Sequence, residues 1–514
     1  MILANFETPA LNYALLAPIL VLFGAAVLGV LIEAFVPRTK RRISQLVLTF
    51  GALFVALYAV VANYQEQRVE ISAVNSIAID GAGTFLQGLI IVVALIGALL
   101  MAENRVDPQG DAFAPRASAL PGSDDEIEFT RRGWLQTEIW PLFLFAVTGM
   151  VIFPVANDFL TLFVALEVMS LPLYLLTGMA RRRRLLSQEA AMKYFALGAF
   201  SSAFLLYGAA LFYGFSGRVD FDGVADALSA DASRPGMITI ATLFVFVGLL
   251  FKVGAAPFHQ WTPDVYQGAP TPVTAFMGAA TKIAAFGALA RVAYSALGGI
   301  SWDFAPVLWA VAGVTMLVGT IVGVVQTDIK RMLAYSSVAH AGFILLGIIA
   351  ADKAGLSAVL FYLAAYAFTT LGTFGIVMLV RDGTGEVTTL SSWAGLGKRS
   401  PLIAGAFAFL LLALAGIPLT SGFTGKFAVF AAAYDSGAAL LVLLAVISSM
   451  IAAFFYIRVI VVMFFTEPRG EEVSVVLPSA YGQIAIGVSV AVTVILGVLP
   501  QPLLDLLADA IFIR

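Results

Sequence analysis

Four ionisable residues stand inside long apolar stretches of the sequence: Glu167, Lys252, Lys282 and Lys426. A charge at the centre of a bilayer costs about 2.5–3.5 kcal/mol on insertion scales, so such residues are rare and normally functional. Burial also favours the neutral form of a lysine, which lets its amine gain and lose a proton. The set predicts proton transfer, with Glu167 favouring protonated Lys252 if the two are neighbours.

The competing interpretation is a set of static ion pairs that fix helix packing. Glu167 is the one clear deep acidic partner for three lysines, so pairing alone does not neutralise the set. Three other basic residues, Lys193, Arg291 and Arg458, lie toward the ends of apolar stretches. Long basic side chains near helix ends reach the membrane interface, and we expect these three to do so.

Glycine and proline interrupt two of the apolar segments. The first break contains Gly254 and Pro257, and the second contains Gly416 and Pro418. These residues do not easily continue a helix, and the carbonyls that they free can hold water or ions. Broken helices at matching places in two halves of a chain indicate an ion pathway. The alternative is a pair of ordinary proline kinks, which membrane helices tolerate.

The sequence contains two histidines. His259 follows the first break, where it either caps the broken helix or takes part in a proton relay near neutral pH. His340 shares a helical face with Ser336 and Ser337. This polar stripe either holds helices together or lines a water path, and the residues alone leave both interpretations open.

Composition decides the class of protein. The chain has 514 residues, of which 61% are hydrophobic and 12% are charged. In soluble domains roughly 45–50% of residues are apolar and about 25% are charged. About fourteen stretches reach the ~20 apolar residues that a spanning helix needs. A net charge of −3 excludes a strongly basic surface, so nucleic acid is not an expected partner. Without cysteine and with two histidines, we expect neither a metal site nor a redox cofactor on this chain.

Basic residues alternate between the two sides of these stretches. If the N-terminus is placed outside, the clusters at 38–42, 181–184 and 398–399 all fall in inner loops, as the positive-inside rule requires. An even number of spans with both termini on the outer side is therefore predicted. The polar segment 103–138 is expected to be a surface loop that is partly disordered.

The predicted fold is an all-α polytopic membrane protein with about 14 transmembrane helices. It contains two inverted five-helix repeats, each with a broken helix. The predicted units are three N-terminal transmembrane helices in 1–102, a polar cytoplasmic loop in 103–137, the first repeat in 138–300, the second repeat in 301–466, and a loop with the C-terminal helix in 467–514.

Three segments carry a family resemblance. PFHQWTPDVYQGAPTPVTAF, at 257–276, closely resembles the signature of the N subunits of bacterial respiratory complex I, the homologues of mitochondrial NADH dehydrogenase subunit two. DIKRMLAYSSVAHAGF and GIPLTSGFTGKF also resemble this family of antiporter-like subunits, which is related to the Mrp antiporters. The resemblance runs over nearly the whole chain, although the 103–138 loop is longer than the family leads us to expect.

The resemblance implies a proton-translocating subunit of NADH:quinone oxidoreductase, a translocase that couples electron transfer from NADH to quinone with proton pumping. In this family, Glu167 would modulate Lys252, Lys282 would be the central relay, and Lys426 would pass the proton outward. His259 and His340 are implied to lie near the connecting polar axis. The alternative is a subunit of an Mrp-type secondary cation/proton antiporter.

The resemblance also implies where the rest of the machinery lies. FMN, iron–sulfur clusters and quinone would be bound by other subunits of the complex. The implied partners are the antiporter-like subunit M, the small subunits K and J, the lateral helix of subunit L, and the lipid bilayer. The implied location is the bacterial inner or plasma membrane, with both termini on the outer side.

Overall fold

A computed structural model describes residues 11–107, 110–116, 118–120, 123–132, 134–230, 235–383, 385–468 and 473–513. Helices make up most of it. In chain order they are α1 Tyr13–Phe35, α2 Arg38–Gln65, α3 Gly81–Ala102, α4 Asp124–Arg131, α5 Ile139–Ile152, α6 Phe159–Thr177, α7 Arg184–Ser216, α8 Phe221–Ala230, α9 Pro235–Val253, α10 Trp261–Gly268, α11 Thr271–Arg291, α12 Ser301–Val325, α13 Ile329–Ile349, α14 Lys353–Val377, α15 Leu396–Arg399, α16 Pro401–Ala415, α17 Ser421–Asp435, α18 Ala439–Phe465, α19 Ala480–Val498 and α20 Gln501–Leu507.

Five short strands lie between the helices. β1 (Glu70–Ser72) and β2 (Ile77–Ile79) form an antiparallel hairpin in which Glu70 pairs with Ile79. In a second antiparallel sheet, the central strand β3 lies between β4 and β5. The strands of this sheet are β3 Val380–Asp382, β4 Gly385–Glu386 and β5 Ser474–Val475. Both sheets join helix ends and do not cross the bundle.

The predicted all-α polytopic fold is confirmed. Within the described residues, 12 helices are long and apolar enough to cross a membrane, and two shorter apolar helices, Ile139–Val155 and Pro401–Ala415, complete the set. Both predicted breaks are present, because α9 and α10 are separate helices, as are α16 and α17. The five predicted units remain a prediction, and residues 1–10 of the first unit lie outside the described part.

The bundle has a buried centre and an apolar outer surface. α11 is buried along its whole length, and α13 and α14 are nearly so. α1, α2 and α18 are buried over only a third of their most apolar windows, and their exposed side chains include Phe54 and Met450. An outer surface of this kind suits contact with lipid or with other membrane subunits. Lys282, on α11, is therefore enclosed by protein.

The expectation that Arg291 reaches the membrane interface is wrong. Its side chain is fully buried, and its Nη2 lies 2.9 Å from a carboxylate oxygen of Asp80. Its Nε donates to the carbonyl of Pro154 at 2.6 Å. Asp80 also caps α3 by accepting from the Gly83 N–H, and it accepts from the Ile513 N–H at 3.0 Å. Because this carboxylate neutralises the guanidinium inside the protein, Arg291 does not need the interface.

The two described chain ends lie on the same side of the bundle. Near the start of the chain, the Asn12 side chain donates to Glu70 of the β1–β2 hairpin. That hairpin leads directly to Asp80, which holds Ile513 near the other end. Ends on one side agree with an even number of membrane crossings.

The first part of the polar loop at 103–137 is packed on the bundle, and the expected partial disorder of the loop stays a prediction. Asp107 pairs with Arg182 and Arg381, which come from two other loops. Asp111 pairs with Arg181 at 2.8 Å, and both side chains are buried. These ion pairs fix the loop on the helix ends. Residues 108, 109, 117, 121, 122 and 133 lie outside the described part.

We expect Asp80→Asn to destabilise the protein by about 3–5 kcal/mol, because it leaves the buried Arg291 guanidinium without a counter-charge. Thermal denaturation of the purified protein is the measurement. The matched control is Asp220→Asn, which removes a carboxylate from an exposed pair with Arg218 and should lower the midpoint much less. Equal midpoints for the two variants would show that the Asp80–Arg291 pair does not hold the fold together.

Candidate functional site

The two broken helices end in the same backbone arrangement. At the first break, the Ala255 N–H bonds to the Leu250 carbonyl and the Gly254 N–H bonds to the Phe251 carbonyl. Gly254 has φ +74°, a left-handed conformation that favours glycine. This pattern is a Schellman cap, which leaves the carbonyl of Val253, the last helical residue, without an intrahelical partner.

The second break repeats this cap with different residues. The Ile417 N–H bonds to the Leu412 carbonyl, and the Gly416 N–H bonds to the Ala413 carbonyl. Gly416 has φ +82°. The carbonyl left at the end of the helix is that of Ala415. Each break thus presents the carbonyl of its last helical residue, at the negative end of the helix dipole, inside the protein.

A predicted lysine binds each of these carbonyls. Lys282, on α11, donates from Nζ to the Val253 carbonyl at 2.9 Å and to the Ser337 carbonyl at 2.7 Å. Lys426, on α17, donates from Nζ to the Ala415 carbonyl at 2.8 Å and to the Ser449 hydroxyl at 2.9 Å. Both lysines are buried. The helix breaks and the buried lysines, which the sequence presents as separate features, form one structure.

Lys252 is the last residue but one of α9, beside the first break. Its Nζ donates to the Ser170 hydroxyl at 2.7 Å and to the Tyr194 hydroxyl at 3.3 Å. The faces of Tyr174 and Tyr194 lie 5.7 and 5.1 Å from Nζ, within cation–π range. The neighbouring residue Val253 supplies the carbonyl that binds Lys282. Lys252 and the residue whose carbonyl binds Lys282 are therefore neighbours in the chain.

Glu167 lies on α6, one helical turn before Ser170. No contact within 4.0 Å joins the side chains of Glu167 and Lys252 among the described residues, and Ser170 binds Lys252 instead. The Oε1 atom of Glu167 is buried and has no hydrogen-bond partner in the described part of the chain. Glu167 is placed to influence Lys252 at a distance, as a second charge and not as its direct partner.

His340 lies on α13 between the central and the last lysine. Its Nδ1 is 2.7 Å from the Tyr362 hydroxyl, and its Nε2 is 3.3 Å from the Tyr456 hydroxyl. Three residues before it, Ser337 accepts from Lys282. Three residues after it, the ring of Phe343 lies 5.0 Å from Lys426 Nζ. One face of α13 thus connects the two lysines over six residues, a rise of about 9 Å.

His259 is not part of this connection. It lies half-buried in the segment between α9 and α10, and its ring is 6.3 Å from that of Tyr335. Its Nδ1 has no hydrogen-bond partner within the described residues. The structure therefore joins Lys282, His340 and Lys426 along one face of α13 and places Lys252 next to the residue whose carbonyl binds Lys282, and we call these four residues the lysine line. Glu167 lies near this line without a contact to it, and His259 lies beside it.

Hydroxyl side chains complete the line, and the sequence analysis overlooked most of them. They are Ser170, Tyr194, Tyr362, Ser449 and Tyr456. Hydroxyl residues in spanning helices commonly bond across helices, so their presence alone did not distinguish packing from function. The available signal was their occurrence on helices that also carry or adjoin a buried charge.

The contacts of the lysines argue against static ion pairs. Among the described residues, no carboxylate lies within 4.0 Å of Lys252, Lys282 or Lys426; each Nζ instead has two neutral acceptors. A neutral amine carries two N–H groups, so it satisfies both acceptors and keeps a lone pair for a proton. A protonated lysine has three donors and keeps one for a further acceptor. Both protonation states are therefore compatible with the same geometry.

Over the described ranges, no group of three or more His, Asp or Glu side chains is arranged to hold a metal ion. The line of lysines is also poor in the ligands that metals prefer, since its acceptors are carbonyls and hydroxyls beside ammonium groups. The chemistry that this arrangement supports is the movement of protons between nitrogen and oxygen atoms.

Comparison with known proteins gives three findings. A family model described as "NADH:quinone oxidoreductase/Mrp antiporter, TM" matches residues 156–452, more than half of the chain. Subunit N 3 of the NADH-quinone oxidoreductase of Streptomyces griseus subsp. griseus is 55% identical over 99% of this chain and 96% of that relative. A chain of respiratory complex I from Thermus thermophilus with bound aureothin has a TM-score of 0.76 and 30% identity, and the match covers 96% of this chain and 100% of that one.

A chain of the Mrp complex from Dietzia sp. DQ12-45-1b is similar in fold. Its TM-score is 0.78, and the match covers 96% of each chain. The identity is only 24%, so this likeness concerns the fold and does not distinguish an antiporter from a subunit of a redox enzyme.

We expect Gly416→Ala to impair proton transfer through Lys426 while the protein still assembles. The added Cβ would lie 2.9 Å from Lys426 Cδ and 3.3 Å from its Nζ, so the lysine side chain must shift from its present position at the Ala415 carbonyl. Gly437→Ala is the matched control: Gly437 also has a positive φ, of +91°, but its added Cβ would meet nothing within 4 Å. Proton uptake by reconstituted vesicles is the measurement. Equal loss in both variants would attribute the effect to backbone strain and not to displaced Lys426.

Proposed function

The chain belongs to the family of transmembrane subunits shared by NADH:quinone oxidoreductases and Mrp antiporters, and we propose that its buried lysines carry protons through the membrane. Within this family it is an antiporter-like subunit of NADH-quinone oxidoreductase, of the N type. The enzyme activity is that of the whole complex, and the part of this chain in it is proton translocation.

The observation that carries the proposal is the coordination of the three lysines. Each has two neutral hydrogen-bond acceptors, and each lies close to an aromatic face. Cation–π contacts stabilise the protonated form by about 0.5–2 kcal/mol, while burial opposes that form. Neither the protonated nor the neutral form of these lysines is therefore strongly favoured, whereas a close carboxylate would hold a lysine in its charged state. A relay residue needs this balance.

The order of transfer follows from the contacts. Lys252 precedes Val253, whose carbonyl binds Lys282, so the first transfer in this scheme runs from Lys252 to Lys282 through water. From Lys282, the face of α13 leads past Ser337 and His340. Tyr362 and Tyr456 bond the two ring nitrogens of His340, and the proton reaches Lys426 beyond them. Water completes the steps for which no direct hydrogen bond is present.

Glu167 regulates the first step, in which Lys252 passes its proton toward Lys282. When its carboxylate is charged, it favours a proton on Lys252. Since the two side chains do not touch, a small shift of α6 or a change in the charge of Glu167 alters this preference without breaking a buried ion pair. Release of the proton toward Lys282 would follow. His259 lies near the first break and serves, in this scheme, as a polar neighbour and not as a member of the relay.

The proposed relay works inside a larger membrane complex. Electron transfer from NADH to quinone would take place on other subunits, which carry FMN, iron–sulfur clusters and the quinone site. We place the chain in the membrane arm beside antiporter-like subunit M and small subunits such as K and J, with the lateral helix of subunit L along its side. The positive-inside pattern supports a bacterial plasma membrane with both termini outside.

An Mrp-type cation/proton antiporter subunit is the second candidate, because the matched family description covers both classes of protein. Purification in mild detergent tests the choice: co-purification with redox subunits supports the oxidoreductase, and co-purification with antiporter subunits supports the alternative. Identities of 55% to N subunits against 24% to the Mrp chain favour the first outcome.

We expect Lys282→Arg and Lys426→Arg to assemble and to lose most coupled proton pumping. Arginine keeps the positive charge but does not release its proton in such a site. Assembly is checked by native gel, and pumping by proton uptake in reconstituted vesicles. The control is Lys193→Arg, because Lys193 pairs with Glu189 and Asp264 and needs only its charge. Arginine variants that pump at wild-type rates would remove these two lysines from the relay.

We expect Lys252→Ala to impair pumping and quinone reduction while NADH oxidation by artificial acceptors continues, because electron transfer to those acceptors requires nothing from this chain. Glu167→Gln should act in the same direction but more weakly, since it removes an electrostatic influence and not a proton carrier. Vesicle assays of both activities are the measurement. If Glu167→Gln proves as severe as Lys252→Ala, Glu167 carries the proton itself and does not merely tune Lys252.

A further inference from the structure

A second polar feature lies away from the relay, where helices of the bundle begin and end. It is a cavity of about 900 Å³ beneath the packed part of the 103–137 loop. The segments around it include the start of α7, the turn between α10 and α11, and strands β3 and β4. Seven basic side chains line it, against the two carboxylates of Asp107 and Glu386.

Two long helices point their N-termini at this cavity. α7 has 33 residues and begins at Arg184, and α11 has 21 residues and begins at Thr271. No side chain caps either start. The first N–H groups of a helix have no intrahelical acceptor, and the helix dipole places positive partial charge there. Two such ends at one cavity form an environment that favours an anion.

Arg181 supplies an independent indication of a ligand. Its side chain is 4% exposed and lines the cavity. Its Nε and Nη2 donate to Asp111, but its Nη1 is buried and has no partner among the described residues. Burial raises the pKa of the Asp111 carboxyl against the opposing effect of Arg181. A buried guanidinium with an unused donor is expensive unless an acceptor is bound there.

Arg183 occupies a strained backbone conformation at the same place. Its φ is +53°, in the left-handed region, although it is not glycine. Such a conformation costs roughly 1–2 kcal/mol in a residue with a side chain. The guanidinium reaches β4, where it donates to the Glu386 carbonyl at 3.3 Å, and it lines the cavity. Glycine would fit this backbone better, so the side chain is the reason to have arginine here.

Two carboxylates share the lining with these basic side chains. Asp107 is shared between Arg182 and Arg381, and Glu386 lies 3.6 Å from Lys330. Arg131, at the end of α4, adds a further positive charge from the loop. Arginine forks and helix N-termini together match the several oxygens of a phosphate group better than a single carboxylate.

We propose that this cavity binds a phosphate group, carried either by an anionic phospholipid headgroup or by a soluble phosphate compound. Arg131, Arg181, Arg183 and the N-termini of α7 and α11 are its binding groups, and the 103–137 loop closes it. The position of the cavity at the helix ends is the level at which lipid headgroups lie. The bound phosphate joins the polar loop to the membrane-spanning bundle.

The test uses the whole complex, purified and delipidated in mild detergent. The probes are dioleoylphosphatidylglycerol, dioleoylglycerol as its phosphate-free analogue, and inorganic phosphate. Native mass spectrometry measures lipid binding, and equilibrium dialysis with labelled phosphate measures the free anion. The variants are Arg183→Gly, which removes the guanidinium and relieves the backbone, and Arg131→Gln, on the exposed loop helix. Lys398→Gln is the matched control, because it removes an exposed positive charge outside the cavity lining.

We expect wild-type complex and Lys398→Gln to bind the phosphate-bearing probe about tenfold more tightly than Arg183→Gly and Arg131→Gln, since each lost charge-assisted bond is worth roughly one decade in affinity. Binding of phosphatidylglycerol with no effect of inorganic phosphate identifies a lipid headgroup. Binding of inorganic phosphate that displaces the lipid identifies a soluble ligand. If neither probe distinguishes wild type from Arg183→Gly and Arg131→Gln, or if dioleoylglycerol binds as well as the phospholipid, the cavity is not a phosphate site.

Discussion

The central constraint in this protein is that a backbone carbonyl in the membrane interior must have a partner. Each of the two broken helices ends in a cap that leaves the carbonyl of its last residue, Val253 or Ala415, without an intrahelical donor. Lysines 282 and 426 supply the missing donors. The same hydrogen bond therefore solves a structural problem and places an ionisable amine in the core. A regular helix at either place would leave the lysine without this acceptor, and a lone lysine would be costly to bury.

The rest of the architecture keeps these amines enclosed in protein and away from carboxylates. α11, α13 and α14 are almost entirely buried, so the lysine line is separated from lipid by a layer of outer helices. Neutral acceptors and aromatic faces surround each Nζ, while the full ion pairs lie elsewhere, as between Arg291 and Asp80 or between Arg181 and Asp111. The protein thus uses carboxylates to fix helix ends and loops, where a permanent charge is useful. It keeps them from direct contact with the lysines of the proposed relay.

The polar loop at 103–137 is one of the places where carboxylates fix the structure. Its acidic residues bind arginines from two other loops, and a basic cavity lies beneath it. A loop tied to the bundle by ion pairs and by a bound phosphate would hold the starts of α7 and α11 in position. α11 carries Lys282, so the cavity and the relay share a rigid element. The two proposed sites are chemically distinct, because one would hold a fixed anion and the other would move a proton.

The sequence by itself determined the class of protein, the number of spans, the two breaks and the four deep ionisable residues, because bilayer thickness and the cost of buried charge act on local composition. It did not determine which groups meet. Residues far apart in the chain decide these contacts. Lys252 binds Ser170 and Tyr194, Glu167 stands apart from Lys252, and Arg291 is buried with Asp80. Tertiary structure settles such contacts because an apolar helix presents many equivalent faces, and only packing selects the one that meets a given partner.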